Sequence, residues 1–352
     1  MADAAKPVPG LAMPGKRVLL VSTGGTITMT PATAAGGGIA PTLTGEDLVR
    51  AVPELSRIAD IDVHAYSTKP GASLTLEDLV RIAGLIDARM EQGYAGAVVV
   101  QGTDTIEETA FVLDTLVASG RPVVVTGAMR GAAAPGADGP ANLLAAVTVA
   151  GSAIASDLGT VVVLNDEVHA ARHVQKSHTS APSAFTSPGF GPIGCVIEGR
   201  LHLYARLPRL AALPRPANDA IADAAVALVK ITLGDDGRLL DALPALGYRG
   251  VVIEAMGAGH LPASLADAVS RLNATMPVVL ASRVAAGPVF QRTYGFPGSE
   301  MDLIARGALP GGYLSGGKAC LLLRLLLASA MTPDQLKAAV AERCNGSVSV
   351  QD

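Results

Sequence analysis

Short, almost purely branched-aliphatic runs recur through the first half of the chain, at Arg17–Ser22, Ala97–Gln101, Pro122–Thr126 and Thr160–Asn165. Longer amphipathic stretches separate them, among them Glu77–Gln92 and Glu107–Ser119. Runs that are apolar at every position, rather than at alternate ones, suit strands covered on both faces, and strands alternating with helices suit a parallel sheet. A second group of the same kind follows, with strands near Val226–Ile231, Gly250–Glu254 and Pro277–Ser282 and helices near Pro262–Asn273, Lys318–Met331 and Pro333–Arg343. At 352 residues the chain exceeds one ordinary core. The expectation is an α/β protein: a larger N-terminal parallel-sheet domain over 1–206, a proline-rich linker over 207–224 and a smaller C-terminal α/β domain over 225–352. The linker rests on Pro208, Pro214 and Pro216, which fall in a stretch without periodicity.

Composition removes several classes of partner. A net charge of -4 and the lack of a basic run argue against nucleic acid, and 3% aromatic residues with no Trp leave no base-stacking surface. No apolar segment approaches membrane-spanning length, so no membrane partner is expected. The opening residues lack the basic start and apolar core of a secretory leader, and Cys195, Cys320 and Cys344 form no CxxC pair. A cytoplasmic protein without a disulfide framework or zinc ribbon is expected.

Chemistry concentrates where strands end. Ser22-Thr23-Gly24-Gly25-Thr26-Ile27 closes the first strand, at the end of a parallel sheet where ligands bind. Its two glycines let the backbone turn tightly and approach a ligand. The segment matches neither GxGxxG nor a P-loop, so phosphate is not implied. It also reads as an ordinary glycine turn. Gln101-Gly102-Thr103-Asp104-Thr105-Ile106-Glu107-Glu108 closes another strand. Thr105 and Glu108 have the spacing of a capping box, and Asp104 is a second capping candidate. Capping alone does not demand a hydroxyl beside a carboxylate directly after Gly102; that pair suits a positioned nucleophile, a water or a substrate ammonium. His169 and His173 would share one face of a helix, but without the HExxH pattern no metal site is assigned. Lys176 reads either as a surface charge or as a base able to deprotonate a threonine. The small-residue loop Ala32–Pro41 reads equally as a lid or as a plain connector.

Together these blocks, with Thr126-Gly127-Ala128-Met129-Arg130, Ala137-Asp138-Gly139-Pro140-Ala141-Asn142-Leu143 and Asn165-Asp166, resemble the bacterial asparaginase/glutaminase family, in order and spacing, over essentially the whole chain. The resemblance implies hydrolysis of a small side-chain amide, L-asparagine first, without a cofactor. It makes Thr26 the nucleophile that forms an acyl-enzyme, with Thr103, Asp104 and Lys176 as the trio that activates the nucleophile or the water. Backbone amides near Thr103 and Ala128 would hold the oxyanion. Gly25, Gly102, Gly71, Ala72 and Ser73 fall at the substrate-binding positions. The resemblance also implies a homo-oligomer, dimer or tetramer, with shared active sites, and Glu300 of Gly298-Ser299-Glu300 is the candidate to reach a neighbouring subunit's site.

The pattern departs from the family at three places. The loop 30–42 contains no tyrosine, so either Thr26 relies on Lys176 through Thr103, or Tyr294 or Tyr313 takes the tyrosine's place. Gly71 and Ala72 stand where polar anchors for the substrate usually do, with Ser73 just beyond. Ala258 stands where an asparagine is common, with His260 a possible substitute donor. Two alternatives therefore stand beside asparagine hydrolysis: the same chemistry on another small amide or lactam, and a non-catalytic amino-acid sensor.

Overall fold

A computed structural model describes residues 15–25, 27, 29–31, 39–41 and 43–344. These fall into two compact units, one within 15–187 and 191–209 and the other in 188–190 and 210–344.

In the first unit, strands β1 (Arg17–Ser22), β4 (Asp60–Ala65), β5 (Gly96–Val100), β6 (Val123–Thr126), β7 (Thr160–Leu164), β8 (Glu167–Ala170), β11 (Gly194–Ile197) and β12 (Arg200–Leu203) build one sheet. Its order is β12-β11-β8-β7-β6-β5-β1-β4. Two small antiparallel pairs stand apart from it: β2 (Met29–Pro31) with β3 (Ile39–Pro41), and β9 (Gln175–Lys176) with β10 (Phe185–Thr186). The helices are α1 (Gly45–Arg50), α2 (Leu76–Glu91), α3 (Ile106–Leu116) and α4 (Gly139–Ala150). From β4 through β7 the strands run parallel, and β5 and β7 are buried at every position, as their unbroken apolar runs require.

The expectation of a parallel sheet holds only for those five strands. At Asn165-Asp166 both residues adopt positive φ, 52° and 60°, and the chain reverses into antiparallel β8. Two consecutive left-handed residues give the hairpin turn whose twist matches the flanking strands, and Asn and Asp tolerate that conformation better than other side chains. Glu198-Gly199, with φ 51° and 68°, repeats the device between β11 and β12. The sheet is therefore mixed.

The second unit is a four-stranded parallel sheet in sequential order, β13 (Val226–Lys230), β14 (Gly250–Ala255), β15 (Val278–Ser282) and β16 (Leu309–Pro310). Around it stand α5 (Asn218–Asp223), α6 (Arg238–Ala242), α7 (Ala266–Asn273), α8 (Glu300–Ala305), α9 (Gly316–Ala328) and α10 (Pro333–Cys344). Helix α5 forms inside the stretch read as linker. Each unit has its own core, centred on Val18, Val98, Val124 and Leu143 in the first and on Val251, Ile253, Leu280 and Leu303 in the second.

Candidate active site

The ends of β1 and β5 meet through backbone. Thr23 sends both its N–H (3.0 Å) and its Oγ1 (3.2 Å) to the Val100 carbonyl, tying the first strand end to the second. Gly24 and Gly25 follow with φ of 106° and 95°. A Cβ on Gly25 would collide with the backbone of Gly102, and one on Gly102 would lie 2.8 Å from the Gly71 nitrogen. Three glycines named as substrate-side positions, Gly25, Gly71 and Gly102, thus converge, and no other residue permits that approach. Thr26 lies outside the described residues. Its neighbour Ile27 is buried, and a Cβ added to Gly139 would lie 2.9 Å from Ile27 Cγ1 and 3.5 Å from Ala128 Cβ.

Thr105 does not cap α3 with its side chain, contrary to the capping-box expectation. Its hydroxyl donates to the Gly71 carbonyl (3.0 Å) and accepts from the buried Gln101 Nε2 (3.2 Å), which also reaches the Gly102 carbonyl (3.2 Å). The Thr105 hydroxyl thus stitches the two loops together instead of capping the helix, adding to the Leu74 N–H bond that the Gly71 carbonyl already accepts at 3.1 Å. Asp104 caps nothing through its side chain either; its Oδ1 takes Lys176.

Lys176 is the centre of the charged cluster. From β9 its Nζ donates to Thr103 Oγ1 at 2.9 Å and to Asp104 Oδ1 at 2.7 Å. Thr103 is buried, the lysine side chain is 17% exposed and that of Asp104 68%. The chemical consequence lies in the hydroxyl. While Lys176 carries its proton, Thr103 Oγ1 accepts from it and Asp104 balances the charge at the solvent edge; as the neutral amine, Lys176 accepts a proton from Thr103 across the same contact. Lys176, 73 residues from Thr103 and 72 from Asp104 in the chain, forms one contiguous group with them.

A third loop carries Ala128. Asp138, which precedes α4, turns its carboxylate outward: Oδ2 accepts from the Met129 N–H (2.9 Å) and Oδ1 from the Arg130 N–H (2.9 Å). Asn142, one helical turn later, donates to Asp138 Oδ2 (3.1 Å) and to the Gly127 carbonyl (3.0 Å), and its Oδ1 accepts from the Asn165 N–H (2.9 Å). The turn Gly127–Arg130 is thereby fixed from three sides. The sequence shows these residues only as members of a motif; the signal that gives their role is the four-residue Asp138-to-Asn142 spacing, which puts both side chains at the start of one helix.

The loop between β4 and α2 is pinned by Asp78, which accepts from Lys69 Nζ (2.6 Å), Tyr66 Oη (3.0 Å) and the Thr75 N–H (3.1 Å). Burial pushes this carboxyl up, but Lys69, Thr75 and Tyr66 together hold it below the ordinary carboxylate value. The pinned loop carries Gly71, which is buried, and Ala72 and Ser73, which are exposed.

The remaining expected groups have partners of their own. Glu300 opens α8 with its carboxylate fully buried. Oε1 accepts from the N–H groups of Thr293 (2.9 Å) and Tyr294 (2.7 Å), and Oε2 lies 3.2 Å from His260 Nε2. Within this chain the carboxylate braces its own loop. Burial raises its pKa, yet the Tyr294, Thr293 and Glu300 N–H groups and His260 pull the carboxyl below its ordinary value. His260 is held by that carboxylate and packs edge-on to Tyr294 and Phe296. Tyr313 packs edge-on to Phe190. His169 stands on strand β8, not on a helix, and bonds Ser187 Oγ (3.0 Å) and Glu167 Oε2 (3.3 Å), so the helical spacing with His173 does not arise. Among the described residues no group of three or more His, Cys, Asp or Glu is placed to hold a metal ion. No described helix is long and apolar enough to cross a membrane.

Comparison with known proteins converges on one family. The family model "Asparaginase, N-terminal" matches residues 17–209, and "Glutaminase/Asparaginase C-terminal domain" matches 225–340. The chain is 35% identical over 318 residues to an L-asparaginase of Bacillus licheniformis, covering 89% of this chain and 96% of that one. It is 31% identical over 344 residues to L-asparaginase 2 of Escherichia coli, covering 93% of each. A crystal structure of a probable cytoplasmic L-asparaginase from Campylobacter jejuni matches with a TM-score of 0.80 at 30% identity, over 93% of this chain and 99% of that one. Two family models in the right order, relatives matched nearly end to end and a shared two-domain α/β fold place this chain in the asparaginase family.

Proposed function

We infer that the chain hydrolyses the side-chain amide of L-asparagine, releasing L-aspartate and ammonia through an acyl-threonine intermediate. The observation that carries this reading is Lys176 Nζ, 2.9 Å from Thr103 Oγ1 and 2.7 Å from Asp104 Oδ1, beside a junction of three glycines. In this reading Thr26 Oγ attacks the amide carbon while its proton passes to the base of the site. The C–N bond then breaks, the nitrogen leaves as ammonia with that proton, and the acyl group stays on Thr26 as an ester. Water attacks the ester carbon, gives its proton back to the threonine oxygen and frees the acid. A threonine hydroxyl is a weak nucleophile at neutral pH, and the Thr103–Asp104–Lys176 group is the base system within this site that meets the need. Backbone donors at Thr103 and Ala128 oppose the oxyanion, and the braced turn Gly127–Arg130 keeps the second donor from moving as charge develops. No cofactor enters these steps.

The enzyme acts as a homo-oligomer, dimer or tetramer, as the family resemblance implies, and works in the cytoplasm; its three cysteines, all free, suit a reducing compartment. The test is ammonia release from L- and D-asparagine, L- and D-glutamine and a panel of small amides and lactams. Turnover is expected to be highest on L-asparagine and to vanish in Thr26→Ala. Undiminished activity in that variant, or binding of an amino acid with no turnover at all, overturns the reading.

A further inference from the structure

Lys176 stands on a strand of two residues in a two-stranded sheet, which is little scaffold for a group whose ammonium must reach two partners at once. One side of that strand pairs with β10, and Ser177 N–H adds a bond to the Ala184 carbonyl at 2.7 Å. The Lys176 N–H points the other way and donates to Glu107 Oε2 at 3.1 Å. Glu107 is in the first turn of α3, three residues after Asp104, so one short segment, Thr103 to Glu107, grips the lysine at both ends: its ammonium through Thr103 and Asp104, and its main chain through Glu107. Nothing in the proposed reaction uses the Glu107 carboxylate. A carboxylate at that place is a strong acceptor for the strand's outward N–H.

We propose that Glu107 is a positioning residue for the hydrolysis: its carboxylate holds the main chain of Lys176 so that Nζ stays on Thr103 and Asp104. The inference rests on the reading of Lys176 as part of the active group. Removing the acceptor frees a two-residue strand, and the long lysine side chain then samples rotamers that miss Thr103. The cost appears in the chemical step and leaves substrate binding alone, because Glu107 itself touches no substrate.

A double-mutant cycle tests this with the full chain, following ammonia release from asparagine. Glu107→Ala is expected to lower kcat about tenfold, the loss of one charge-assisted bond, with KM changed less than about twofold. Glu107→Gln, whose amide oxygen still accepts the N–H, is expected to recover most of that loss. In a Lys176→Met background Glu107→Ala is expected to cost nothing further, since there is no ammonium left to aim. Additive losses in the cycle, or equal losses in the Ala and Gln variants, overturn the positioning role and leave the proposed function intact. Full activity in Lys176→Met alone overturns both. Circular-dichroism melts of each variant identify a fold defect, and a kcat loss that merely follows a lowered Tm also counts against the role.

Discussion

Asp104 and Glu300 are both carboxylates placed just after a strand-end loop, at or before the first turn of a helix, and the sequence marks both as site residues. Their surroundings differ completely. Asp104 has a side chain 68% exposed and one close partner, the Lys176 ammonium, so a second oxygen and open space remain for a ligand. Glu300 is fully buried and spends both oxygens on two backbone N–H groups and His260. The first arrangement leaves capacity for chemistry, and the second uses all of it to hold a loop. What separates a site carboxylate from a structural one is therefore unspent hydrogen-bonding capacity at an accessible place.

The largest effect that would break this contrast lies in the first unit. Thr103→Ala and Lys176→Met are each expected to lower kcat by about 10²–10⁴-fold, the range for removing a general acid–base group, with little change in Tm because Lys176 is partly exposed. Steady-state ammonia release together with thermal melts measures both. A large loss of stability with modest loss of rate would place Lys176 in the same class as Glu300.

Glu300→Ala is expected to behave in the opposite way. It strands the N–H groups of Thr293 and Tyr294 and leaves His260 without its acceptor, at a cost of about 3 kcal/mol. The readout is a lowered urea midpoint, with kcat per folded molecule kept within about threefold of the parent. Loss of rate without loss of stability would return Glu300 to the active site.

Asp138→Ala sharpens the comparison at an intermediate size, because Asp138 is structural in its bonds but braces the turn proposed to carry an oxyanion donor. Freeing the Met129 and Arg130 N–H groups is expected to cost about 1–2 kcal/mol of stability and about tenfold in kcat/KM, as the turn bearing Ala128 loses its brace. Loss of stability with kcat/KM unchanged would show that the turn carries no donor that matters.

These cases show what was legible in the sequence. The buried strands were, because unbroken Val runs leave no polar face; so was the Thr103-Asp104 pair, because a hydroxyl and a carboxylate directly after a glycine have no sufficient structural explanation. The turn to antiparallel strands was not, since Asn165-Asp166 resembles a polar site segment as much as a hairpin turn until its positive φ values are seen. Nor was the burial of Glu300, because it depends on the loop from Thr293 and Tyr294 folding back over it, which no local pattern encodes. Thr105 was misread because a capping-box spacing is satisfied locally, whereas its actual partner, Gly71, is 34 residues away.

The smallest expected effect is a pH dependence of stability that again sets a buried group against the open cluster. Burial pushes the pKa of His169 below the ordinary 6.5, with Glu167 only partly opposing it. The groups facing the ring are Glu167 Oε2 and the Ser187 hydroxyl. Because the folded value is depressed, the unfolded chain binds the proton more readily, so stability is complete above 6.5 and declines as pH falls through the window below it. Glu300, also depressed in the fold, adds a second decline that begins only below its ordinary 4.5. Urea midpoints should therefore be level above about pH 7, fall slightly between 6.5 and 4.5, and fall more steeply below that. His169→Gln, which cannot be protonated, removes the first decline and keeps the second; Glu300→Ala keeps the first and makes the second shallower, since Asp78 and Asp302 also feed it. A first decline that persists in His169→Gln would mean that this histidine is not the group titrating in that window.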